Sequence, residues 1–332
     1  MQCRGESLQW NSGCQHPQRC PLRALKLLFY SRSGQSSRWI EALHQALPGA
    51  EIRLYGEATS DWQADYALLW QPPPELLRSQ RRLRGIFNLG AGVDALLANP
   101  GLPEEVPIYK LRDAGMAAWM LDYIRYGLLH FGRDMDRYRE QQRLRCWQPR
   151  EIGHRAQWPV GVLGLGALGS EIAAALSVEG YSVSGWSRTP KSIPGVDCYA
   201  GETTLAPFLS RCRVLVSILP ATVDTRHLLN LERLQRLPEG AVVISCGRGE
   251  VLDSQALLAL LDSHHLRGAL LDVFEQEPLP TDSPLYDNER LIITPHISAP
   301  TPIEGAIEQI VEGIGRLESG APLPAVDRQR GY

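Results

Sequence analysis

The stretch "VGVLGLGALGS" at residues 160–170 decides the fold, because an apolar run is broken there by closely spaced glycines. Gly164 to Gly169 form the pattern G-x-G-x-x-G, with Ala167 and Leu168 between the last two glycines. The pattern ends a predicted strand and opens the predicted helix "LGSEIAAALSVEG". In that context Gly164 permits a tight turn, Gly166 lets a pyrophosphate approach the backbone, and Gly169 lets helix and strand pack closely. A packing turn without a ligand is the alternative, but the strand–turn–helix context favours dinucleotide binding.

The residues after the next predicted strand indicate which dinucleotide is bound. Folds that bind NAD usually place an acidic residue about 20 positions after the glycines, where it accepts hydrogen bonds from the ribose. Here the strand "YSVSGW" is followed by Ser187, Arg188, Thr189 and Lys191, with no carboxylate at its tip. Cationic and hydroxyl groups attract a 2′-phosphate, so the sequence favours NADP(H), with NAD(H) as the weaker cofactor. A solvated basic loop is the alternative.

The order of predicted elements indicates an α/β protein with two doubly wound parallel sheets. From Lys26 onward, short apolar runs alternate with amphipathic segments, including a predicted helix over 74–84. A second alternating series follows from residue 159, and one long helix over 115–147 joins the two series. A further helix is predicted over 302–317. Since 332 residues can form two cores, we expect two domains whose sheets have both faces covered by helices.

Charge and hydropathy exclude two classes of partner. Lysine and arginine total 34 against 37 aspartate and glutamate residues, which gives a formal net charge of −3. This balance does not favour nucleic acid as the main partner, because phosphate binding needs a clustered basic surface. No stretch reaches the 18 or more apolar residues of a membrane span. We therefore expect a soluble protein that binds neither nucleic acid nor a membrane.

The seven cysteines are irregularly spaced and contain no C-x-x-C pair, which predicts reduced thiols and a cytoplasmic location. Residues 1–24 are polar and lack an apolar signal region, so they are predicted to be a disordered tail or an over-long gene model. Cys14, His16 and Cys20 could suggest a metal site, but no second ligand pair follows at zinc spacing. The sequence therefore predicts no metal.

Four polar residues at the predicted ends of late strands are candidates for catalysis. Arg248 follows "AVVIS", Asp272 and Glu277 follow "GALL", and His296 ends "LIITPHIS". Ligands of doubly wound sheets bind at the carboxyl ends of the strands, so these side chains can converge in one crevice. Taken singly, the arginine could pair with a surface acid, the glutamate could be a loop charge and the histidine a turn residue. The nearby Cys246 lacks an evident histidine base, which favours a small buried neighbour over a nucleophile.

Together these motifs resemble the D-isomer-specific 2-hydroxyacid dehydrogenase family. The hallmarks are "GVLGLGALG", "ISCGRGEVLDSQALLALLDSHHLRGALLDVF", "EPLP" and "TPHIS". More narrowly, "LGAGVDALL", "WSRTPKSIPGV", "SPLY" and the terminal "VDRQRGY" are similar to the glyoxylate/hydroxypyruvate reductase A group. The resemblance covers about nine-tenths of the chain and leaves out only the first two dozen residues.

The resemblance implies a Rossmann cofactor domain inserted in a flavodoxin-like substrate domain. The implied bounds are 25–114 with 297–332 for the substrate domain and 115–296 for the NADP-binding domain. It assigns Arg248 to the substrate and makes Glu277 the acid that orients His296, the general acid/base. Ala91 and Gly92 are implied to present backbone N–H groups to the substrate carboxylate. The remaining cofactor contacts implied are Leu219, Pro220, Cys246 and Asp272, the last holding the nicotinamide carboxamide.

The implied reaction is reduction of a small 2-oxo acid, either glyoxylate to glycolate or hydroxypyruvate to glycerate. Arg248 would bind the carboxylate through its planar fork of donors, and His296 would donate a proton as hydride reaches the carbonyl carbon. Glu277, bonded to the other ring nitrogen, would favour the imidazolium. Another D-2-hydroxyacid dehydrogenase, or a corepressor-like nucleotide-sensing scaffold for protein partners, stays as an alternative.

The predicted helix over 115–147 also suggests a homodimer. Its apolar residues are too many for one covered face. Among them are Met116, Trp119, Met120, Tyr123, Leu128 and Phe131. In related reductases an aromatic residue near the position of Trp147 reaches the active site of the partner.

Overall fold

The computed structural model describes residues 25–57 and 61–331. The predictions made for residues 1–24, including the disordered tail and the rejected site at Cys14, His16 and Cys20, lie outside the described residues.

The first sheet is parallel and has the strand order β2-β1-β3-β4-β5. Its strands are β1 (Lys26–Ser31), β2 (Glu51–Leu54), β3 (Tyr66–Trp70), β4 (Gly85–Asn88) and β5 (Ile108–Lys110). The order reverses between β1 and β3, as in flavodoxin-like folds. The inner strands β3 and β4 are short, buried apolar runs, typical of parallel sheets covered on both faces, whereas the edge strand β2 is only partly buried.

The second sheet is also parallel and has the order β12-β11-β10-β9-β6-β7-β8. Its strands are β6 (Val160–Leu163), β7 (Val183–Ser187), β8 (Val196–Ala200), β9 (Val214–Ser217), β10 (Ala241–Ser245), β11 (Leu266–Leu271) and β12 (Leu291–Ile293). Its first six strands in chain order follow the Rossmann arrangement, extended by β12 at one edge. The order reverses between β6 and β9, so a ligand crevice is expected at the carboxyl ends of these two strands.

The helices cover both faces of each sheet. In chain order they are α1 (Ser36–Ala46), α2 (Pro74–Ser79), α3 (Asp94–Leu97), α4 (Met116–Gly132), α5 (Met135–Arg143), α6 (Ala167–Val178), α7 (Leu205–Leu209), α8 (Leu231–Leu234), α9 (Ser254–Asp262) and α10 (Ile303–Glu318). The last helix packs against α1, so the chain returns to the first sheet after completing the second. The expected fold class is confirmed: a Rossmann unit is inserted in a flavodoxin-like unit. The residue bounds of the two domains stay a prediction.

The prediction of a single helix over 115–147 is wrong, because the structure has two helices there, α4 and α5. The break lies at Asp134, whose φ of +57° is left-handed and ends the helical path. Arg267 donates to Asp134 Oδ1 at 2.6 Å and to both carboxylate oxygens of Asp136 at 2.6 and 2.9 Å. Arg150 binds the other oxygen of Asp134 at 2.6 Å. This charge cluster holds the bend, and its partners lie too far apart in the chain for a helical pattern to reveal it.

Two smaller elements also differ from prediction. The helix predicted over 74–84 ends at Ser79, because the buried Gln80 side chain accepts from Ala64 N–H at 2.8 Å and donates to Trp62 O at 3.3 Å. The edge strand β8 was not predicted from "VDCYA", whose residues are only partly buried or exposed and show no clear alternation.

Most of the apolar residues of 115–147 that suggested a dimer are not available to a second copy of the chain. Met116, Met120, Leu128 and Phe131 are buried in the chain's own cores. Tyr123 is half-buried, and its hydroxyl lies 2.6 Å from Thr294 Oγ1. Of the six residues named, only Trp119 is largely exposed. Other apolar side chains of this region are exposed instead: Tyr126, Leu129, Met135, Leu144 and Trp147.

The cluster around Arg267 predicts a specific loss of stability. The Arg267 side chain is only 9 % exposed, so Arg267→Met removes a largely buried cation that Asp134 and Asp136 share, although Asp134 keeps its ion pair with Arg150. We expect the free energy of unfolding to fall by about 2 kcal/mol, less than for a fully buried pair because the carboxylates are partly solvated. Urea unfolding measures this change.

The matched control is Arg143→Met, which breaks the exposed ion pair between Arg143, the last residue of α5, and Glu289 in the turn before β12. We expect little change there. Equal effects of the two substitutions would show that the Arg267 cluster does not hold the bend.

Candidate active site

Two cavities meet in the cleft between the sheets. The larger has a volume of about 680 Å³ and the smaller about 120 Å³, and both are lined by Gly92 and Arg248. The predicted residues that line the larger cavity are Ala91, Gly92, Gly164, Gly166, Ala167, Leu168, Gly169, Ser187, Arg188, Thr189, Lys191, Leu219, Pro220, Cys246 and Arg248. Gly92, Arg248, Glu277 and His296 line the smaller one. A long ligand in the first cavity would thus reach a small ligand in the second.

The glycine-rich turn has the geometry that a dinucleotide requires. Gly164 has a φ of +113°, a conformation that L side chains rarely adopt, and it makes the turn after β6. A Cβ on Gly169 would lie 1.8 Å from Gly164 O, so only glycine lets α6 approach β6 this closely. Gly166, at the start of α6, has no heavy atom within 4 Å of its Cβ position. The backbone there is open to a pyrophosphate at the positive end of the helix.

The far end of the larger cavity is basic. Ser187 is buried at the end of β7, and its hydroxyl donates to Thr189 O at 2.7 Å, which fixes the turn. Arg188 is exposed, and its Nη1 lies 3.6 Å from the Asp224 carboxylate. Asp224 belongs to the loop after β9 and lines the same cavity. Sequence reasoning missed this acid, because it is 36 positions beyond the arginine.

Arg248 is held where the two cavities meet. Its Nε donates to Asp94 Oδ1 at 2.9 Å, and its Nη1 donates to Gly247 O at 2.9 Å. Its Nη2 lies beside Gly92, where a Cβ would come within 1.7 Å of it. The guanidinium therefore packs directly on the backbone of the loop after β4. Asp94, the first residue of α3, thus ties this loop of the first sheet to the second sheet.

His296 lines the smaller cavity. Its Nδ1 lies 2.8 Å from Glu277 Oε2, and Glu277 Oε1 accepts from Phe274 N–H at 3.0 Å. Burial by itself would raise the pKa of Glu277, but the hydrogen bonds from His296 and Phe274 and the nearby cations lower it overall. Glu277 is therefore ionised near neutral pH, so its Oε2 can accept a hydrogen bond from an N–H at His296 Nδ1.

The backbone that carries His296 is fixed by Asp272. His296 has a left-handed φ of +56°, which costs a non-glycine residue of the order of 1 kcal/mol. Asp272 is fully buried, and its carboxylate accepts from Thr294 Oγ1 at 2.6 Å, Ile297 N–H at 2.8 Å and Ser298 N–H at 2.7 Å. These three bonds offset the strain. Asp272 lines neither cavity, but its carboxylate lies near Cys246 in the wall of the larger one, and its contact with the nicotinamide stays a prediction.

Cys246 lies in the cavity wall as a small apolar group. Complete burial and the nearby Asp272 carboxylate raise the pKa of its thiol well above the usual value. A protonated, buried thiol is a poor nucleophile, as the sequence analysis expected.

The cleft is also lined by cations and other side chains that were not predicted from the sequence. Lys110 and Arg112 lie at and after the end of β5 in the larger cavity, and Trp70 and Asn88 line the smaller one. Burial, together with the charges of Arg112 and Arg248, lowers the pKa of Lys110. Their positions could have revealed these four residues, because each ends or follows a strand of the first sheet, at the same edge of the sheet as Gly92.

The described part of the chain contains neither a cluster of metal ligands nor a helix that could span a membrane. No three His, Cys, Asp or Glu side chains within 25–57 and 61–331 gather as metal ligands. No helix in these ranges is both long and apolar enough to cross a membrane.

Comparison with known proteins agrees with this site. A family model described as "D-isomer specific 2-hydroxyacid dehydrogenase, NAD binding domain" matches residues 126–298. A D-isomer specific 2-hydroxyacid dehydrogenase from Xanthobacter autotrophicus Py2, solved with NADPH and MES, is 41% identical over 93% of this chain and 100% of that chain, with a TM-score of 0.88. An NADPH-dependent glyoxylate/hydroxypyruvate reductase from Sinorhizobium meliloti, solved with NADP and sulfate, is 32% identical over 93% of this chain and 100% of that chain, with a TM-score of 0.87.

A probable 2-hydroxyacid dehydrogenase from Rhizobium etli CFN 42, solved with NADP, HEPES and L(+)-tartaric acid, is 33% identical over 94% of this chain and 100% of that chain, with a TM-score of 0.83. The chain therefore belongs to the D-isomer specific 2-hydroxyacid dehydrogenase family. It is an oxidoreductase that binds NADP(H), and the residues present fit that cofactor. The open backbone at Gly166 suits the pyrophosphate, and Arg188 with Lys191 supplies positive charge at the far end of the cavity.

The close approach of Arg248 to Gly92 predicts that Gly92→Ala disables the site. The new methyl group would overlap Nη2, so the guanidinium must move by an ångström or more. Displacements of this size cost about 100-fold in rate, so we expect kcat/KM to fall by at least that factor. Steady-state kinetics on a small 2-oxo acid measure it.

Gly315→Ala is the control, because this helical glycine has open space at its Cβ position. Wild-type kcat/KM in a folded Gly92→Ala variant would contradict the geometry.

Proposed function

We propose that this protein reduces small 2-oxo acids with NADPH, converting glyoxylate to glycolate and hydroxypyruvate to glycerate. The observation that carries the proposal is the cavity of about 120 Å³ that holds Arg248 and His296 and opens into the cofactor cavity. Its volume suits an acid of a few carbon atoms rather than a nucleotide or a peptide. The Sinorhizobium meliloti structure supports the same substrates, since that protein is named for them.

Arg248 binds the substrate carboxylate in this proposal. Asp94 and Gly247 O fix the orientation of the guanidinium, while its Nη2 edge lies at the junction of the two cavities. A guanidinium edge can meet carboxylate oxygens through charge-assisted bonds, which orients the adjacent carbonyl. The backbone of Ala91 and Gly92 supports the same end of the substrate.

His296 moves the proton. When bound, the nicotinamide supplies a hydride for the carbonyl carbon, and negative charge then develops on the carbonyl oxygen. The imidazolium of His296 donates its proton to that oxygen, which gives the 2-hydroxy acid. Glu277 holds Nδ1 and leaves Nε2 to face the substrate. The resemblance implies that Asp272 also holds the nicotinamide carboxamide, while its bonds to the backbone of Ile297 and Ser298 hold the turn of His296 in place.

The activity is tested with initial rates on glyoxylate, hydroxypyruvate, pyruvate and phosphohydroxypyruvate with each cofactor. We expect turnover of the first two with NADPH. His296→Asn keeps some hydrogen bonding but cannot deliver a proton, so kcat should fall by about two to four orders of magnitude.

NADPH affinity of His296→Asn should stay close to that of the wild type, because the residue lines the smaller cavity only. Loss of cofactor binding alone would make His296 structural. Tight peptide binding without any turnover would favour the scaffold function.

Cofactor choice is proposed to depend on Arg188. A guanidinium bound to a 2′-phosphate forms charge-assisted bonds that are together worth about 1.5 to 3 kcal/mol. Arg188→Ala should therefore raise the Kd for NADPH roughly 10- to 100-fold and leave the weaker binding of NADH nearly unchanged. Fluorescence titration with both cofactors measures the ratio.

Arg211→Ala is the matched control, since this exposed arginine bonds Tyr199 Oη and does not line the cavity. If Arg188→Ala weakens both cofactors equally, the pocket assignment fails.

We also propose that two copies associate through α4, α5 and the segment that follows α5. Trp119, Tyr126 and Leu129 on α4 are about half exposed, and Leu144 and Trp147 beyond α5 are more exposed still. So many exposed apolar side chains in one stretch of 29 residues are typical of an interface. A second copy is the occupant we favour, because the same stretch on both chains can pair about a two-fold axis.

The irregular cysteine spacing supports a cytoplasmic location.

Light scattering at micromolar concentration should show a dimer. The pair Leu129→Lys and Leu144→Lys should give a monomer, because it places four charges in a symmetric interface. Val178→Lys, at an even more exposed apolar position at the end of α6, should leave the dimer intact. A monomeric wild type would end the proposal.

A further inference from the structure

The segment 326–331, "VDRQRG", has no role in the chemistry described above, yet it lies at the cofactor cavity. After α10 the chain runs back along the first sheet, where Val326 N–H donates to Ile108 O at 2.8 Å. The Arg328 side chain donates to Pro103 O at 2.8 Å and to Val106 O at 2.5 Å. These bonds anchor the segment on the loop before β5 and on β5 itself.

The segment then closes into a tight turn organised by Asp327. One carboxylate oxygen of Asp327 accepts from Gln329 N–H at 3.0 Å and from Arg330 N–H at 3.1 Å, while the other lies 3.2 Å from Arg330 Nε. Gly331 N–H donates to Asp327 O at 2.9 Å. Gly331 has a left-handed φ of +78°, so the turn is built for glycine at this position. The turn is thus internally bonded rather than an irregular end.

This turn touches the other side of the cleft. Gly331 lines the larger cavity together with Thr222, and a Cβ on Gly331 would lie 3.4 Å from Thr222 Cγ2. Thr222 is held in its loop by Thr225, whose Oγ1 accepts from Thr222 N–H at 2.8 Å and donates to Pro220 O at 2.6 Å. The same loop carries Asp224, the partner of Arg188. The segment therefore reaches the basic end of the cofactor cavity.

We propose that residues 326–331 form a strap, a wall of the NADPH site contributed by the first sheet's domain, which slows release of the cofactor. The strap is fixed to one domain by Val326 and Arg328 and meets the other at Thr222. A cofactor that leaves past Thr222 must displace the strap or separate the two domains. Gly331 is the part of the strap that lines the cavity, and it carries no charge. The strap therefore retains NADPH and NADH alike, unlike Arg188, which selects between them.

The test measures cofactor binding without any substrate, so it stands apart from the proposed reductase activity. Arg328→Ala removes the two anchoring bonds to Pro103 O and Val106 O. We expect the dissociation rate, measured by stopped-flow loss of bound NADPH fluorescence on displacement, to rise about 5- to 10-fold. The Kd should rise by a similar factor for NADPH and for NADH, with their ratio unchanged.

Arg316→Ala is the matched control. In the wild type, Arg316 Nη2 donates to Pro322 O at 2.7 Å and so anchors the connection between α10 and the strap. Its dissociation rate should equal that of the wild type. A second variant that ends at Val326 removes residues 327–332 and should release cofactor at least as fast as Arg328→Ala. It decides the question if Arg328→Ala does not fold, as judged by circular dichroism.

Wild-type dissociation rates in the folded variants would overturn the strap. A loss confined to NADPH, with NADH unchanged, would also overturn it, because it would mean that the segment recognises the 2′-phosphate by charge. Absence of turnover on glyoxylate would leave these binding results unaffected and would count against the proposed function alone.

Discussion

The contact between the Arg248 guanidinium and the backbone of Gly92 is the constraint on which the cleft depends. The arginine comes from the end of β10 in the second sheet, whereas the glycine follows β4 in the first. No side chain fits between them, since a Cβ would lie 1.7 Å from Nη2. The ion pair between Arg248 and Asp94, at 2.9 Å and largely shielded from solvent, adds attraction across the same junction. A carboxylate placed there would meet donors from both domains at once.

A second buried interaction determines where His296, the proposed proton donor, lies. Asp272 directly follows β11 and has no exposure to solvent, and its carboxylate accepts hydrogen bonds from three donors of the turn after β12. A buried carboxylate without such donors would cost several kcal/mol, so these bonds fix the turn firmly. This turn holds His296 in a left-handed conformation, with Glu277 Oε2 2.8 Å from its Nδ1. Catalytic geometry thus rests on a residue that does not itself line the cavity.

Much of this could be predicted from the sequence, because the decisive signals are local. The glycine-rich turn, the strands that end at Arg248 and His296, and the basic residues after β7 are all short patterns with a physical meaning. Asp94, Asp224 and the bend at Asp134 could not be predicted, because each depends on an arginine that is 36 to 154 positions away. Only the folded chain brings those partners together.

In the proposed function, the cleft recognises a carboxylate beside the carbonyl that is reduced. The most direct measurement compares initial rates for glyoxylate and its methyl ester with NADPH. The ester keeps the aldehyde and its tendency to hydrate but lacks the negative charge that Arg248 would bind. We expect rapid oxidation of NADPH with glyoxylate and a kcat/KM at least about 100-fold lower with the ester, because the Nη2 edge of Arg248 then loses the charged acceptor that it would bind. Equal kcat/KM values for the acid and the ester would contradict it.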